Sequence, residues 1–271
     1  MTYPVHLEIE STNRCNLSCI MCPHKDMKRP QGDMSMETLK KIVDESRGRT
    51  KTCYLHQIGE PLFNKNLDRM IAYTAAAGIR TSISTNGMLL DAEWTNRLLI
   101  CGLDEIIFCV DGFTEQDYLK YRKGGDWKRV ISNYFHYVDE HYRVNSKTEI
   151  IIQGIKVDKN YKINSVKNFE KSLGCKKAQI LLKDFSTFAG NVKDLPGDTP
   201  PRRFTCSYPW NHLAVHWNGD LCLCCRDFEG FTKMGNINET SIEEIFNSVM
   251  YEQYRGDFKD KKWENVLCKN C

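Results

Sequence analysis

Cysteine is the residue type that most clearly indicates chemistry in this chain. The 271 residues include 13 cysteines, three of them within residues 15–22 and six of them beyond residue 205. The first residues lack the charged and apolar regions of a signal peptide, so we expect a cytoplasmic protein. Thiols stay reduced in the cytosol, where crowded cysteines bind metal more often than they form disulfides. The cysteine spacing therefore predicts metal centres.

The first cysteine group, Cys15, Cys19 and Cys22, has the spacing CxxxCxxC. It directly follows a predicted strand, which puts it on the edge where parallel α/β folds carry their active sites. Three thiolates on one tight loop can hold three irons of a [4Fe–4S] cluster and leave the fourth iron open to a ligand. The alternatives are chance and a zinc knot, although structural zinc sites usually take four ligands from CxxC pairs.

The second cysteine group lies near the C-terminus. Cys206 and Cys224 flank a predicted hairpin, and Cys268 and Cys271 follow a predicted helix. The hairpin would bring the first pair together, and the second pair would complete a four-thiolate site. Spacing alone leaves two occupants open, a second iron–sulfur cluster or a zinc ion.

Predicted strands alternate with predicted helices over the first two thirds of the chain. The strand patterns cover residues 5–10, 52–58, 79–84, 105–110, 148–155 and 178–182. Capping residues and apolar spacing predict helices that begin after Ser35, Asn66, Asp91, Asp126 and Asn164. Six β-then-α repeats predict an α/β fold with a parallel sheet, a partial (β/α)6 barrel, because a closed barrel needs eight.

A turn-rich linker at residues 194–201 predicts a domain boundary. Residues 1–193 would form the partial barrel, and residues 202–271 a small cysteine-rich domain. In that domain the Asn-Gly dipeptide at 218–219 predicts a hairpin, and Ser241 opens a capping box that predicts a helix. A hairpin and a helix bury little core, so we expect a metal centre to stabilise this domain.

Polar motifs follow the second, third and fourth predicted strands, and we expect them at the same edge as the first cysteine group. They are Gly59-Glu60-Pro61, Ser84-Thr85-Asn86 and Asp111. Each motif is weak alone, because such residues also form ordinary turns. In this order, behind the CxxxCxxC loop, they resemble the radical S-adenosylmethionine (SAM) superfamily. The C-terminal CX12GX4C and CxxC spacings resemble its twitch domain, the one-cluster relative of the SPASM domain.

The resemblance implies SAM and two [4Fe–4S] clusters as cofactors. One cluster would be reactive, with the first cysteine group as its ligands and an open iron for the amino and carboxylate groups of SAM. Reductive cleavage of SAM in this family yields methionine and a 5'-deoxyadenosyl radical. The other cluster would be auxiliary, and the resemblance favours it over zinc. Its ligands would be Cys206, Cys224, Cys268 and Cys271.

The resemblance also implies SAM contacts for the strand-end motifs. Glu60, held between Gly59 and Pro61, would receive the SAM amino group. The ribose and carboxylate contacts would come from the polar side chains of Ser84, Thr85 and Asn86. Asp111 matches a further family position after the fourth strand. Met21 stands where most members have an aromatic residue near the adenine, and its flexible thioether can fill that space.

Five further residues are candidates for substrate chemistry. Cys225 follows a predicted ligand and should point away from it on a regular strand. In twitch epimerases a thiol near this place returns hydrogen to the substrate. Glu8 and Glu10 share a strand face toward the lumen, where they would contact substrate or form ion pairs. Asp227 would bind substrate or brace the hairpin, and Lys183 ends the sixth strand near the same mouth.

The resemblance implies hydrogen abstraction from a carbinol carbon of a sugar, aminosugar or aminocyclitol. The product would be a ketone, which overall likeness to twitch dehydrogenases favours, or an epimer, which Cys225 favours. Modification of a ribosomal peptide is an alternative, and a non-catalytic electron carrier is another that would not need the SAM motifs. A flavodoxin or ferredoxin is the expected electron donor.

Charge and hydropathy exclude two classes of partner. The net charge of +3 without a basic cluster argues against nucleic acid, and no apolar run approaches the ~18 residues of a membrane span. The cysteines left over are expected to be ordinary core residues: Cys53, Cys101, Cys109 and Cys175. Cys222, two residues before a predicted ligand, would be a spare thiol.

Overall fold

The computed structural model describes residues 2–157, 163–173, 178–192, 195, 206–260, 262 and 267–271. Its strands are β1 (His6–Ile9), β2 (Thr52–Tyr54), β3 (Arg80–Thr85), β4 (Glu105–Cys109), β5 (Glu149–Lys156), β6 (Gln179–Asp184), β7 (His212–Val215), β8 (Asp220–Cys222) and β9 (Lys233–Asn236). Its α-helices are α1 (Met36–Ser46), α2 (Leu67–Ala76), α3 (Ala92–Ile100), α4 (Glu115–Tyr121), α5 (Trp127–Arg143), α6 (Ile163–Ser172), α7 (Tyr208–Asn211), α8 (Ile242–Phe246) and α9 (Val249–Lys259).

The first six strands form the parallel sheet that the sequence predicts. They stand side by side in chain order, β1 to β6, and every neighbouring pair is parallel. Helices follow the strands, as the β-then-α pattern requires. The α/β fold class with a partial barrel is confirmed. The carboxyl ends of these six strands meet at one edge, which becomes the site described below.

The C-terminal hairpin extends this same sheet. β7 lies parallel to β1, with His6 opposite His212, and β8 and β9 continue in antiparallel pairing. The free edge of β1 is thereby covered. Leu213 and Phe246 from this region share one hydrophobic core with Leu7 of β1. The hairpin therefore rests on the barrel's core, a contact that the sequence pattern of a small separate domain did not reveal.

Five helices begin directly after the residues predicted to cap them, whereas α6 begins at Ile163, one residue before the predicted cap Asn164. The side chains of Ser35, Asp91 and Asp126 each accept a hydrogen bond from the first turn of their helix. Ser241 and Glu244 form both bonds of the capping box. Three of the described α-helices were not predicted, α4, α7 and α9. α4 and α7 are too short to show a clear periodicity.

Three further points complete the fold. No helix in the described part of the chain is long and apolar enough to cross a membrane. Apart from residue 195, the predicted linker at 194–201 lies outside the described residues, and so does Cys175. The division into two domains remains a prediction.

Candidate active site

A cavity of about 520 Å³ opens at the carboxyl edge of the parallel strands. The predicted site residues that line it are Glu8, Cys15, Cys19, Met21, Cys22, Gly59, Glu60, Ser84, Thr85, Asn86, Asp111, Lys183 and Cys225. Those that do not line it are Glu10, Pro61, Asp227, Cys206, Cys224, Cys268 and Cys271. Residues as far apart in the sequence as Glu8 and Cys225 therefore meet in one cavity.

The loop of residues 15–22, here called the cysteine loop, is fixed by backbone hydrogen bonds. The Ser18 amide donates to the Lys123 carbonyl at 2.9 Å, and the Ile20 amide donates to the Tyr121 carbonyl at 3.0 Å. Burial raises the pKa of Cys15 to about 11 and that of Cys22 to about 12. Such thiols stay neutral unless a bound metal displaces their protons. One buried and two half-buried cysteines on a fixed loop fit the three protein ligands of a [4Fe–4S] cluster with one open iron.

Gly59 explains how the second strand's motif reaches this loop. Its φ is +111°, and a Cβ there would lie 2.6 Å from the Thr12 carbonyl oxygen. Only glycine adopts this conformation without strain and allows such close backbone contact. The next amide, of Glu60, donates to the Arg14 carbonyl at 2.7 Å. The glycine thus holds Glu60 directly against the start of the cysteine loop, and Pro61 begins a short buried helical turn behind it.

Glu60 is a buried carboxylate surrounded by neutral donors. One of its oxygens accepts from the Thr85 hydroxyl at 2.7 Å and from the Leu62 amide at 3.3 Å, and the other accepts from the Asn86 amide at 2.7 Å. No Lys, Arg or His among the described residues forms an ion pair with it. Burial raises its pKa to about 7. A buried carboxylate without a cationic partner fits the amino group of SAM.

The third strand's motif partly supports Glu60 and partly faces the cavity. The Asn86 side chain also donates to Asn16 of the cysteine loop at 2.9 Å. Ser84 leaves its hydroxyl beside the thiol of Cys109, with 2.8 Å between oxygen and sulfur. Cys109 therefore lines the cavity, whereas the sequence predicted only a core residue. Met21 is almost fully buried on the same wall.

Arg122 is a cavity residue that no sequence motif indicated. Its guanidinium lies 2.5 Å from the carboxylate of Asp111, and both side chains are nearly buried. The other oxygen of Asp111 accepts from the Ile155 amide at 3.0 Å. The Nε of Arg122 has no hydrogen-bond partner among the described residues. Arg122 follows α4, the helix missed from sequence, so only the fold reveals a cation beside the cysteine loop.

Four side chains form a connected group on the opposite wall: Glu8, Tyr208, His212 and Cys225. Tyr208 hydrogen bonds to Glu8 and lies 3.1 Å from the sulfur of Cys225. The Tyr208 ring stacks on the His212 ring, with centroids 4.1 Å apart and planes within 14°. His212 Nδ1 lies 3.4 Å from the Glu8 carboxylate. Burial opposes ionisation of Glu8, but hydrogen bonds from His212, Cys225 and Tyr208 outweigh it and lower its pKa.

Cys225 faces the cavity for a reason other than the one read from sequence. The prediction assumed a regular strand in which Cys224 and Cys225 point to opposite faces. β8 ends at Cys222 and the chain then turns, which brings the Cys225 side chain into the cavity wall beside Tyr208. Cys222 is fully buried beside His216, with 3.7 Å between sulfur and Nδ1, and does not reach the cavity.

Glu10 and Asp227 do not line the cavity, and both bind neighbouring loops instead. The guanidinium of Arg29 binds both oxygens of Glu10, one of them at 2.8 Å, and the Trp217 amide donates to it at 3.2 Å. Asp227 accepts from the amides of residues 230–232 at 2.6–2.9 Å. Both carboxylates are fully buried and fully engaged in holding loops together. Glu10 thus forms an ion pair and Asp227 stabilises the loop of residues 230–232, which are the alternatives to substrate contact that the sequence left open.

The predicted auxiliary ligands lie next to this wall. Arg226 touches two of them, because its amide donates to the Cys224 sulfur at 3.4 Å and its guanidinium donates to the Cys271 sulfur at 3.5 Å. Burial raises the pKa of Cys206, and the nearby Cys224 and Cys271 raise it further. Within the described residues, no three ligand-type side chains converge on one ion position.

Polar side chains that the sequence did not single out complete the cavity. Tyr54, His56 and Gln57 follow β2 into it. Burial lowers the pKa of His56 to about 4, and its Nδ1 has no hydrogen-bond partner among the described residues. Lys183, which the sequence did predict, is exposed and also lines the cavity. No motif marks Tyr54, His56 and Gln57, because their role depends only on which strand end they occupy.

Comparison with family models identifies the chain. The model described as the radical SAM superfamily matches residues 9–159, which is more than half of the sequence. The chain belongs to the radical SAM superfamily. A second model, the SPASM iron–sulfur cluster-binding domain, matches residues 206–271. As a radical SAM enzyme with a SPASM-type domain, it uses SAM and iron–sulfur clusters, as the sequence predicted.

Two relatives align with almost the whole chain. The tungsten-containing aldehyde ferredoxin oxidoreductase cofactor-modifying protein of Pyrococcus furiosus is 25% identical over 98% of this chain and 86% of the relative. The S-adenosyl-L-methionine-dependent 2-deoxy-scyllo-inosamine dehydrogenase of Niallia circulans is 23% identical over 98% of this chain and 91% of the relative. A radical SAM enzyme of this architecture can therefore serve more than one substrate class.

Solved structures share the fold of this radical SAM enzyme. BtrN in complex with AdoMet and 2-DOIA has a TM-score of 0.68 at 22% identity and covers 100% of this chain and 94% of its own. Streptococcus suis SuiB bound to the precursor peptide SuiA has a TM-score of 0.77 at 14% identity, with 94% and 67% coverage. One of these proteins was solved with a small molecule and the other with a peptide.

Proposed function

We propose that this radical SAM enzyme inverts a carbinol carbon of a sugar, aminosugar or aminocyclitol. The single observation that carries the proposal is the position of Cys225. It is a free thiol in the cavity wall, hydrogen bonded to Tyr208 and separate from the cysteine loop. An inversion needs a hydrogen donor on the side opposite to abstraction, and a thiol has a weak, exchangeable S–H bond.

The chain's own residues would bind and orient the cofactors. The cysteine loop would hold the reactive cluster, and the auxiliary cluster would be held by Cys206, Cys224, Cys268 and Cys271. When bound, SAM and the reactive cluster supply a 5'-deoxyadenosyl radical that abstracts hydrogen from substrate. Glu60 would accept a hydrogen bond from the SAM amino group, and Ser84 would offer its hydroxyl to the ribose. The buried cavity walls would exclude water from the radical.

The cavity lining supports a small polyhydroxylated substrate. It must accommodate SAM and substrate together within about 520 Å³, which favours a small molecule over a long peptide. The wall around Glu8 offers hydrogen-bonding groups from Tyr54, His56 and Gln57 to several hydroxyls. The ionised Glu8 carboxylate suits the ammonium of an aminosugar or aminocyclitol.

The inversion balances as follows. Hydrogen abstraction breaks one C–H bond and leaves a carbon radical beside the hydroxyl. The S–H bond of Cys225 breaks as a new C–H bond forms on the other face, which leaves a sulfur radical on Cys225. One electron from a ferredoxin- or flavodoxin-type donor and one proton from solvent restore the thiol. Each turnover therefore consumes one SAM and two electrons in all, one for SAM cleavage and one for the thiol.

Dehydrogenation to a ketone is the second candidate, and a different observation favours it. The dehydrogenase of Niallia circulans aligns with 98% of this chain. Here the carbon radical would lose one electron to a one-electron acceptor and the hydroxyl proton to a base. Glu8 is the carboxylate in the cavity that would take this proton, assisted by His212. The thiol of Cys225 would have no part in that reaction.

The test compares the products of the wild type and of Cys225→Ala. A panel of aminocyclitols and aminosugars, including 2-deoxy-scyllo-inosamine, is incubated with SAM and dithionite-reduced, anaerobically reconstituted enzyme. We expect an epimer of unchanged mass from the wild type and from the control Cys222→Ala, whose thiol lies outside the cavity. Cys225→Ala should cleave SAM but form no epimer. A ketone from all three enzymes would support dehydrogenation, and a modified peptide substrate would refute the small-molecule class.

A further inference from the structure

Resting on the proposed function, the geometry points to Tyr208 as the positioning residue that holds the Cys225 thiol for hydrogen return. The hydroxyl of Tyr208 lies between Cys225 and Glu8 and contacts both. Neither α7 nor its tyrosine carries a sequence motif.

The number of available hydrogens fixes the direction of the hydrogen bond between Tyr208 and Glu8. A phenol has one hydrogen to donate, and an ionised carboxylate can only accept. The Tyr208 hydrogen therefore goes to Glu8, and its oxygen is left as an acceptor. The sulfur of Cys225 lies 3.1 Å away, so its S–H can donate to that oxygen. A neutral phenol oxygen is too weak a base to remove the proton, so the sulfur keeps the hydrogen that it must deliver.

Tyr208 is itself held on two sides. Its ring stacks on His212, with centroids 4.1 Å apart, and His212 lies on β7 beside Glu8 of β1. Glu8 anchors the hydroxyl from the adjacent strand. Because the ring and the hydroxyl of Tyr208 are both fixed, the oxygen that can accept a hydrogen bond from the Cys225 thiol is fixed as well. Cys225 lies on an irregular turn, where nothing in the backbone pattern would otherwise select one side-chain rotamer.

Removal of the hydroxyl should separate positioning from mere packing. Tyr208→Phe keeps the ring and its stack on His212 but removes the acceptor. The thiol then samples other rotamers, hydrogen return slows, and the carbon radical survives longer. We expect the inverted product per SAM consumed to fall roughly three- to ten-fold, the range that one hydrogen bond supports. The matched control is Tyr73→Phe, which removes a tyrosine hydroxyl bound to Asp44 at 2.8 Å on the distant surface.

An infrared measurement tests the hydrogen bond without turnover. The S–H stretching band of Cys225 is isolated as the difference between wild-type and Cys225→Ala spectra of the reconstituted protein. We expect this band to move in Tyr208→Phe and to stay in place in Tyr73→Phe. An unmoved band in Tyr208→Phe would overturn the inference, and so would a moved band with unchanged product per SAM. If Cys225→Ala itself forms epimer like the wild type, the proposed function fails and this inference falls with it.

Discussion

Glu60→Gln tests the SAM site at its most buried contact. The wild-type carboxylate accepts three hydrogen bonds, two at the oxygen that faces Thr85 and Leu62 and one at the oxygen that faces Asn86. Glutamine keeps the size and one acceptor oxygen but loses the charge. A hydrogen bond to a charged acceptor is worth about 1.5–3 kcal/mol, so SAM should bind about 10- to 150-fold more weakly.

The same substitution should also lower the folding stability, and this effect can be measured separately from SAM affinity. If the amide oxygen stays with Thr85, the amide NH2 faces the Asn86 N–H, and two donors then meet. One unpaired buried donor costs about 1–3 kcal/mol of folding stability. Affinity is measured by calorimetric titration of SAM into reconstituted protein, and stability by thermal unfolding without SAM. Glu105→Gln is the matched control, since Glu105 also accepts a hydroxyl hydrogen bond but starts β4, at the edge away from the cavity.

The affinity for SAM should depend on pH in a definite direction. Burial raises the pKa of Glu60 to about 7, and the ionised form is the one that accepts from the SAM amino group. Wild-type affinity should therefore fall as pH drops through 7, by up to about tenfold per unit well below the pKa. Glu60→Gln should lose this dependence. Equal affinity of wild type and variant at pH 8, or parallel pH profiles, would refute the assigned contact.

The remaining predictions concern the cysteines and one glycine. Alanine at all three positions of the cysteine loop should remove about four of eight irons per chain and abolish 5'-deoxyadenosine formation; continued SAM cleavage would contradict the cluster assignment. Replacing Cys268 and Cys271 by alanine should remove the other four irons, as measured by iron analysis, and full iron retention or zinc in the wild type would refute the auxiliary cluster. Gly59→Ala should disorder the cysteine loop, because the added Cβ would lie 2.6 Å from the Thr12 carbonyl oxygen. The iron content after reconstitution should then fall although no cluster ligand has been changed. A normal iron content would show that the loop tolerates the shift.

Local sequence patterns were sufficient to predict the fold and the residues that we propose bind SAM. Alternating strand and helix patterns predicted six parallel strands, and strand-end motifs such as Gly59-Glu60 were bound to meet, because parallel strands present their carboxyl ends at one edge. Here short sequence segments determine their own geometry. Glycine at 59, for example, marks a backbone position with positive φ whatever surrounds it.

The substrate side depends on tertiary contacts that no local pattern encodes. Arg122 follows a seven-residue helix and reaches Asp111 only through the packing of that helix. Tyr208 meets Glu8 because β7 pairs with β1, a pairing between segments about 200 residues apart. Strand alternation assumed a regular strand at Cys225, but β8 ends three residues earlier, at Cys222. Glu8 and Glu10 share a strand face by periodicity, yet Arg29 separates their roles.

The most direct test of the central claim is the origin of the hydrogen at the product carbon. The wild type is incubated with SAM, reductant and an accepted aminocyclitol or aminosugar in deuterium oxide, and the product is examined by mass spectrometry and NMR. The exchangeable S–H of Cys225 predicts one deuterium at the inverted carbon, and none in the Cys225→Ala reaction. A ketone without fixed deuterium, or an epimer that keeps its original hydrogen, would contradict hydrogen return by this thiol.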